Sequence, residues 1–253
     1  MGYIIRTRDD FLINGVSALT VGLVTEMPQP MPMAARRYVD YSVGSDFDIA
    51  VDDNSFDSIQ YTITARVIKK PNNFNNAEIY AFLQGAKTLQ LTRMPGYYFR
   101  IQKVLGIEPV ANRKYKGNEQ TYTIGFQLEP FKYHIADEPI THEGVGSTFT
   151  FQNAGTRYSK PIYTFTLSAL SGLGGFIVNN VGVVVSIPEN TLTSTQFTVD
   201  TERMIAYSGS GNTQTNAMMY TTGTFPFSAS GTNAMILNGI LGAVSIKLNQ
   251  RSY

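Results

Sequence analysis

Five apolar residues, Ile59, Tyr61, Ile63, Ala65 and Val67, alternate without a break with Gln60, Thr62, Thr64 and Arg66. Successive side chains of an extended strand point to opposite faces, so this run buries one face of a sheet and wets the other. Similar alternation runs through residues 88–93, 97–103 and 120–128, the last placing Tyr122, Ile124, Phe126 and Leu128 on one face. These four runs are expected to form one sheet. One segment changes period: Ile79, Phe82, Leu83 and Ala86 fall on the single stripe of a helix. Asn75 and Glu78 occupy capping-box positions before it, and Gly85 suits its left-handed carboxyl end.

At 253 residues the chain has the length of two domains, and its charges divide it in the same way. Residues 1–138 hold 15 basic and 15 acidic side chains, whereas residues 139–253 hold 5 and 4. A linker is expected across residues 133–147, where Pro139, Gly144 and Gly146 interrupt regular structure, giving domains 1–138 and 139–253. The second half has no helical pattern. Short β-branched and aromatic runs recur at 162–167, 176–178, 183–187, 197–199, 204–207, 218–220 and 243–248 between Gly, Asn, Ser and Pro clusters. That spacing predicts a sandwich or jelly roll, so the fold class is mainly β with one α-helix.

Zero cysteines exclude disulfides, thiolate metal sites and cysteine nucleophiles. A net charge of +1 removes any global electrostatic attraction to nucleic acid or membrane. The first ten residues, MGYIIRTRDD, carry four charges and resemble neither a secretory signal nor, with Arg6 in the selective position, a myristoylation site. Phe176 to Ile187 is interrupted by Asn179 and Asn180 and is too short to span a bilayer, so a soluble protein is expected.

Chemistry-bearing clusters are few. The two histidines, His134 and His142, lie with Asp137, Glu138 and Glu143 in the expected linker, where a solvated hinge is favoured over a metal site. No Gly-x-Ser-x-Gly elbow is present, and Gly172, Gly174 and Gly175 read as a turn between strands. Asp40, Asp46, Asp48, Asp52, Asp53 and Asp57 occur without a single Lys or Arg between Tyr38 and Ala65. Their spacing does not match a calcium loop, and adjacent acids lack the opposed geometry of a glycosidase pair. The segment reads as a hydrated loop or as a negative wall that repels phosphates. The run 27–33, MPQPMPM, is forced towards extended backbone and presents Met27, Met31 and Met33 either in a connecting loop or in an arm for another subunit. Arg113, Lys114 and Lys116 around Tyr115 read as a hairpin tip. No catalytic, cofactor-binding or metal-binding residue is assigned.

Four stretches of the second half carry a family resemblance: residues 153–161 (NAGTRYSKP), 176–180 (FIVNN), 197–202 (FTVDTE), and 223–226 (GTFP) with 231–233 (GTN). In this order they resemble the carboxyl-terminal domain of distal tail proteins of phages with long, non-contractile tails, chiefly of Gram-positive hosts, and point to a Bacillus phage member. The first half is similar in layout only. Within the motifs Asn153 and Gly155 turn the chain, Pro161 is expected to start an edge strand, and Asp200, followed by Glu202, can take backbone donors in a turn. With Pro226, Gly231 and Asn233 they are scaffold positions, and none is placed for proton transfer.

The resemblance implies an amino-terminal tail-tube-like β-sandwich or barrel and a carboxyl-terminal jelly-roll or galectin-like sandwich. It further implies a non-enzymatic virion protein, a distal tail hub forming a hexameric ring around a DNA channel. Its partners would be further copies of itself, the tail tube protein, the tail tip fibre or lysin protein, and the tape measure protein. DNA would pass without sequence-specific binding, and no membrane partner or cofactor is implied. Such a protein is assembled in the host cytoplasm and sits at the distal end of the tail. On this reading Asp40 to Asp57 would line the channel and the Met27 to Met33 arm would join subunits. The alternative is a carbohydrate-binding sandwich gripping the host wall, for which Tyr158, Tyr163, Tyr207 and Tyr220 are the available rings.

Overall fold

The computed structural model describes residues 10–27, 30–42, 48–67, 76–110, 121–187, 195–208, 213–214, 219–221 and 225–253. The chain is mainly β, with one α-helix among the described residues, and it divides into two compact units. The first runs to Ile135 and includes Tyr253; the second spans Ala136–Ser252.

The first unit contains β1 (Phe11–Ile13), β2 (Val16–Ser17), a 3-10 turn (Ala18–Val21), β3 (Leu23–Met27), β4 (Arg36–Ser42), β5 (Asp48–Phe56) and β6 (Ile59–Val67). Helix α1 (Asn76–Leu83) follows, then β7 (Thr88–Leu91), β8 (Tyr97–Val110) and β9 (Thr121–His134). An antiparallel sheet in the order β2-β1-β7-β8-β9-β6-β3 joins the four runs first recognised by their alternation. β6 pairs with β9 from Ile59↔Leu128 to Arg66↔Thr121, which sets Tyr61, Ile63, Phe126 and Ile124 on one buried face. Ile79 and Leu83 of α1 are buried in the same core, and Gly85 follows in the left-handed conformation at φ +76°. Asn75 and the basic tip at 113–116 lie outside the described residues.

The second unit contains β10 (Ile140–Glu143), β11 (Thr148–Asn153), β12 (Ile162–Leu167), β13 (Gly172–Val178), β14 (Val181–Ile187), β15 (Gln196–Asp200), β16 (Ile205–Ser208), β17 (Thr213–Gln214), β18 (Met219–Thr221), β19 (Gly231–Gly239) and β20 (Leu241–Lys247). Leaving aside β16 to β18, which extend the sheets at their edges, the first strand pairs with the eighth, the second with the seventh, the third with the sixth and the fourth with the fifth. That is the pattern left when one long hairpin is rolled up, a jelly roll. Its sheets, β10-β20-β12-β15-β16-β17 and β11-β19-β13-β14-β18, enclose one core in which Phe165 and Tyr163 meet Phe176 at 4.8 and 5.1 Å between ring centroids.

Several expectations are corrected. Part of the supposed linker is strand: Tyr133 and His134 close β9, and Ile140 to Glu143 form β10, which pairs with β20. The described part of the acidic segment is two paired antiparallel strands, β4 and β5, with Asp40 opposite Ala50 and Ser42 opposite Asp48. Asp is depleted from strands, so pattern alone assigns such a run to a loop. Gly172, Gly174 and Gly175 are strand residues of β13; a Cβ at Gly175 would stand 2.9 Å from the Val183 carbonyl oxygen, so glycine permits close strand packing there. β12 is an interior strand between β20 and β15, and Pro161 precedes it, where its missing N–H costs no ladder bond.

Candidate functional site

Three of the four family-like stretches of the second unit meet in one buried polar brace. Asn153 ends β11 and is 1% exposed. Its side-chain amide donates to the carbonyls of Arg157 at 3.1 Å, Ser228 at 3.3 Å and Ala229 at 3.1 Å, and its Oδ1 accepts from the Gly155 N–H at 3.0 Å. Asn233 on β19 completes the arrangement from the other side. Its Oδ1 accepts from the Ala229 N–H at 2.7 Å and from the Asn179 amide at 2.6 Å, while its Nδ2 donates to the carbonyls of Ala229 and Gly231, each at 2.9 Å. Between the two asparagines, Ser159 and Ser228 exchange main-chain hydrogen bonds of 2.8 and 3.1 Å. Residues 153–159 and 226–233, far apart in sequence, are thereby locked together, and Gly231 enters β19 at φ +88°.

A second turn sits at the end of β15. Asp200 Oδ1 accepts from the N–H groups of Glu202 and Arg203, both at 3.0 Å, which folds the chain back on itself. The adjacent Thr201 donates its hydroxyl to the Pro161 carbonyl at 2.7 Å, tying this turn to the start of β12. The Arg203 guanidinium lies 3.8 Å from Asp200 but is 75% exposed, so screening leaves that pair little energy. Pro226 is buried, and its carbonyl accepts from the Tyr163 hydroxyl at 3.4 Å; burial pushes the Tyr163 phenol well above its ordinary range.

The side chains of Asn153, Asn179, Asn233, Asp200 and Thr201 all act on main-chain groups or on another amide, an arrangement suited to fixing loops. The carboxyl-terminal residues belong to it, although the motif reading missed them. Arg157 N–H donates to the Arg251 carbonyl at 3.2 Å, and Asn249, at φ +51°, donates its side-chain amide to the Lys160 carbonyl at 3.1 Å. A polar cluster at 249–252, in a half with few charges, is the signal that was there to be read.

The remaining candidates are scattered. Asp40, Asp48, Asp52 and Asp53 lie in the paired strands β4 and β5, Asp57 is exposed just after them, and Asp46 is outside the described residues. Met27 ends β3; Met31 packs against the first unit's core, contrary to the expectation of three exposed thioethers, and Met33 is 80% exposed. Met31 and Met33 border a groove of about 260 Å³ shared with Met94, Phe99 and Tyr253. His134 meets the Tyr97 ring edge-on at 4.8 Å, and His142 stacks on Phe149 at 3.8 Å, so both serve strand packing. No group of three or more His, Asp or Glu is placed to hold a metal ion among the described residues. Of the tyrosines considered for sugar stacking, Tyr163 is fully buried and is ruled out, and Tyr207 is partly buried. Tyr158 presents an exposed ring, tilted against Phe227 at 5.5 Å.

No family model matches the sequence, and no curated protein matches it either. Solved structures do. The Dit protein of phage SPP1, described as a paradigm of the hub adsorption apparatus in phages infecting Gram-positive bacteria, superposes with a TM-score of 0.66 at 10% identity, over 94% of this chain and 96% of that one. The chain shares its fold with SPP1 Dit. A second similar structure is the baseplate of phage P2 in its activated conformation with Ca, with a TM-score of 0.50 at 8% identity and 89% of each chain covered. The likeness to SPP1 Dit takes in both units.

Proposed function

We propose that this chain is a structural virion protein, a distal tail hub that forms a hexameric ring around a DNA channel and joins the tail tube to the tip or baseplate and the adsorption apparatus. The observation that carries the reading is the agreement in fold with SPP1 Dit over 94% of the chain. The order of the four motifs supports it, as does the brace that ties three of them together. On this reading the domains are a ring-forming unit over residues 1–138 and a sandwich over 139–253, and the chain's task is architectural, with no catalytic step.

Ring closure requires a heterologous interface, in which one patch meets a different patch on the next copy. The first unit's sheet is suited to this: among the described residues it ends in β2 on one side and β3 on the other, two unlike edges with main-chain groups available for pairing. Met33 adds an exposed apolar side chain beside a groove, the basis for an intersubunit arm over Met27, Met31 and Met33. The acidic segment from Asp40 to Asp57 is assigned to the channel wall, where carboxylates repel the phosphates of passing DNA. The partners are the tail tube protein above, the tip fibre or lysin protein below and the tape measure protein within the channel. The protein assembles in the host cytoplasm and resides at the distal end of the tail; the Bacillus host assignment rests on the sequence resemblance alone.

Immunogold labelling of purified particles tests the placement. Gold is expected at the distal tail end, and particles that lack the protein overturn the reading.

A further inference from the structure

The chain contains two Asn-Gly dipeptides, Asn14-Gly15 and Asn238-Gly239, and the structure treats them in opposite ways. Asn14 is tied down: its Oδ1 accepts from the N–H groups of Lys87 at 2.8 Å and Thr88 at 3.1 Å, and its Nδ2 donates to the Gly85 carbonyl at 3.1 Å. Asn238 is exposed at the end of β19, and its side-chain amide makes no hydrogen bond among the described residues. The following nitrogen is also open. Ile240 N–H donates to the Leu173 carbonyl at 3.2 Å, and ladder bonds of an antiparallel pair fall on alternate residues, so the Gly239 N–H points away from β13. On its other side the pairing of β19 with β11 reaches only to Ile236.

We propose that Asn238 is a self-modification site. The Gly239 main-chain nitrogen attacks the side-chain carbonyl carbon of Asn238, a C–N bond forms, and the side-chain nitrogen leaves as ammonia, taking up the proton released from the Gly239 N–H. The resulting succinimide is opened by water at either carbonyl, giving aspartate or isoaspartate. Water is the sole co-reactant. Glycine at 239 leaves the attacking nitrogen unshielded, and asparagine carries the leaving group.

The modification changes a particular surface. Asn238 borders a shallow groove of about 360 Å³ with Leu173, Ile177 and Val184, on a sheet face where β11, β13, β14 and β19 present no charged side chain among the described residues. Either product places a carboxylate there. Isoaspartate also adds a methylene to the main chain at a hairpin with no slack, since a Cβ at Gly239 would stand 2.1 Å from the Leu173 carbonyl oxygen.

The test is peptide mapping by mass spectrometry of the intact protein aged in mildly alkaline buffer. The peptide holding Asn238 is expected to gain the amide-to-acid mass difference and an isoaspartyl linkage, while the peptide holding Asn14 does not. Asn238→Gln, a variant that leaves Gly239 in place, is expected to lose that change. An unmodified Asn238, or equal rates at Asn14 and Asn238, overturns the proposal.

Discussion

Gly155 lies directly against the main chain of Arg251: a Cβ at position 155 would stand 2.3 Å from the Arg251 carbonyl oxygen and 2.9 Å from its nitrogen. Neither neighbour is a flexible side-chain tip, so substitution forces backbone to move. Gly155→Ala is expected to destabilise the second unit by about 3 kcal/mol. Asn153→Ala is expected to cost a similar amount, about 3 kcal/mol, because it strands the Gly155 N–H and carbonyls in a buried setting. Thermal unfolding of each variant checks this; midpoints within a degree or so of the parent would refute the brace as a source of stability.

Met204 holds a left-handed conformation at φ +56° while 54% exposed, at the end of the Asp200 turn. A side chain is strained there and glycine is not, so Met204→Gly is expected to stabilise by about 0.5–1 kcal/mol. Denaturant titration reads the change; destabilisation would mean that the Met204 side chain makes a contact that outweighs its strain.

Burial raises the Tyr163 phenol above its ordinary value near 10, and burial raises Tyr61 too, opposed by Arg93. A folded-state pKa above the unfolded one contributes stability that is complete below the unfolded value and lost at higher pH. The second unit is therefore expected to weaken progressively above pH about 10, and Tyr163→Phe to flatten that decline at a cost of about 1 kcal/mol near neutrality. An identical alkaline decline in the variant contradicts this assignment.

Reversal of Asp46, Asp48, Asp52 and Asp53 to Lys is expected to leave particles assembled while slowing genome release, since lysines on a channel wall attract phosphates. DNA-release kinetics of variant particles measure this, and unchanged kinetics exclude the segment from the wall. Met33→Glu is expected to weaken association of subunits without lowering the thermal midpoint, because Met33 is 80% exposed. Sedimentation separates the two effects.

Much of the fold was legible because period-two alternation is a local signal. β6 matches its expected run, Ile59–Val67, and β12 matches Ile162–Leu167. Alternation fails where the ladder slips. β8 runs to Val110, well past Lys103, but register shifts near Ile101, Lys103 and Gly106 break the pattern in its second half. The β4–β5 pair was masked by its acidic composition, and β10 by the prolines and glycines around it. Gly172 to Gly175 spelled a turn because the close approach of Val183 and Ile240 to β13 cannot be read from one strand. The brace and the neighbouring turn were legible only in part: Asn153, Asn233 and, in the turn, Asp200 stood out as turn formers, whereas the role of Arg251 depends on a contact that spans nearly the length of the second unit.

The central claim is self-assembly, and the most direct measurement is the mass of the purified protein in solution together with negative-stain images of the same sample. The account predicts six-membered annular particles with a central opening, at a mass near six times 27.9 kDa. A species that stays monomeric across the accessible concentration range, with no annular particles in the images, contradicts it.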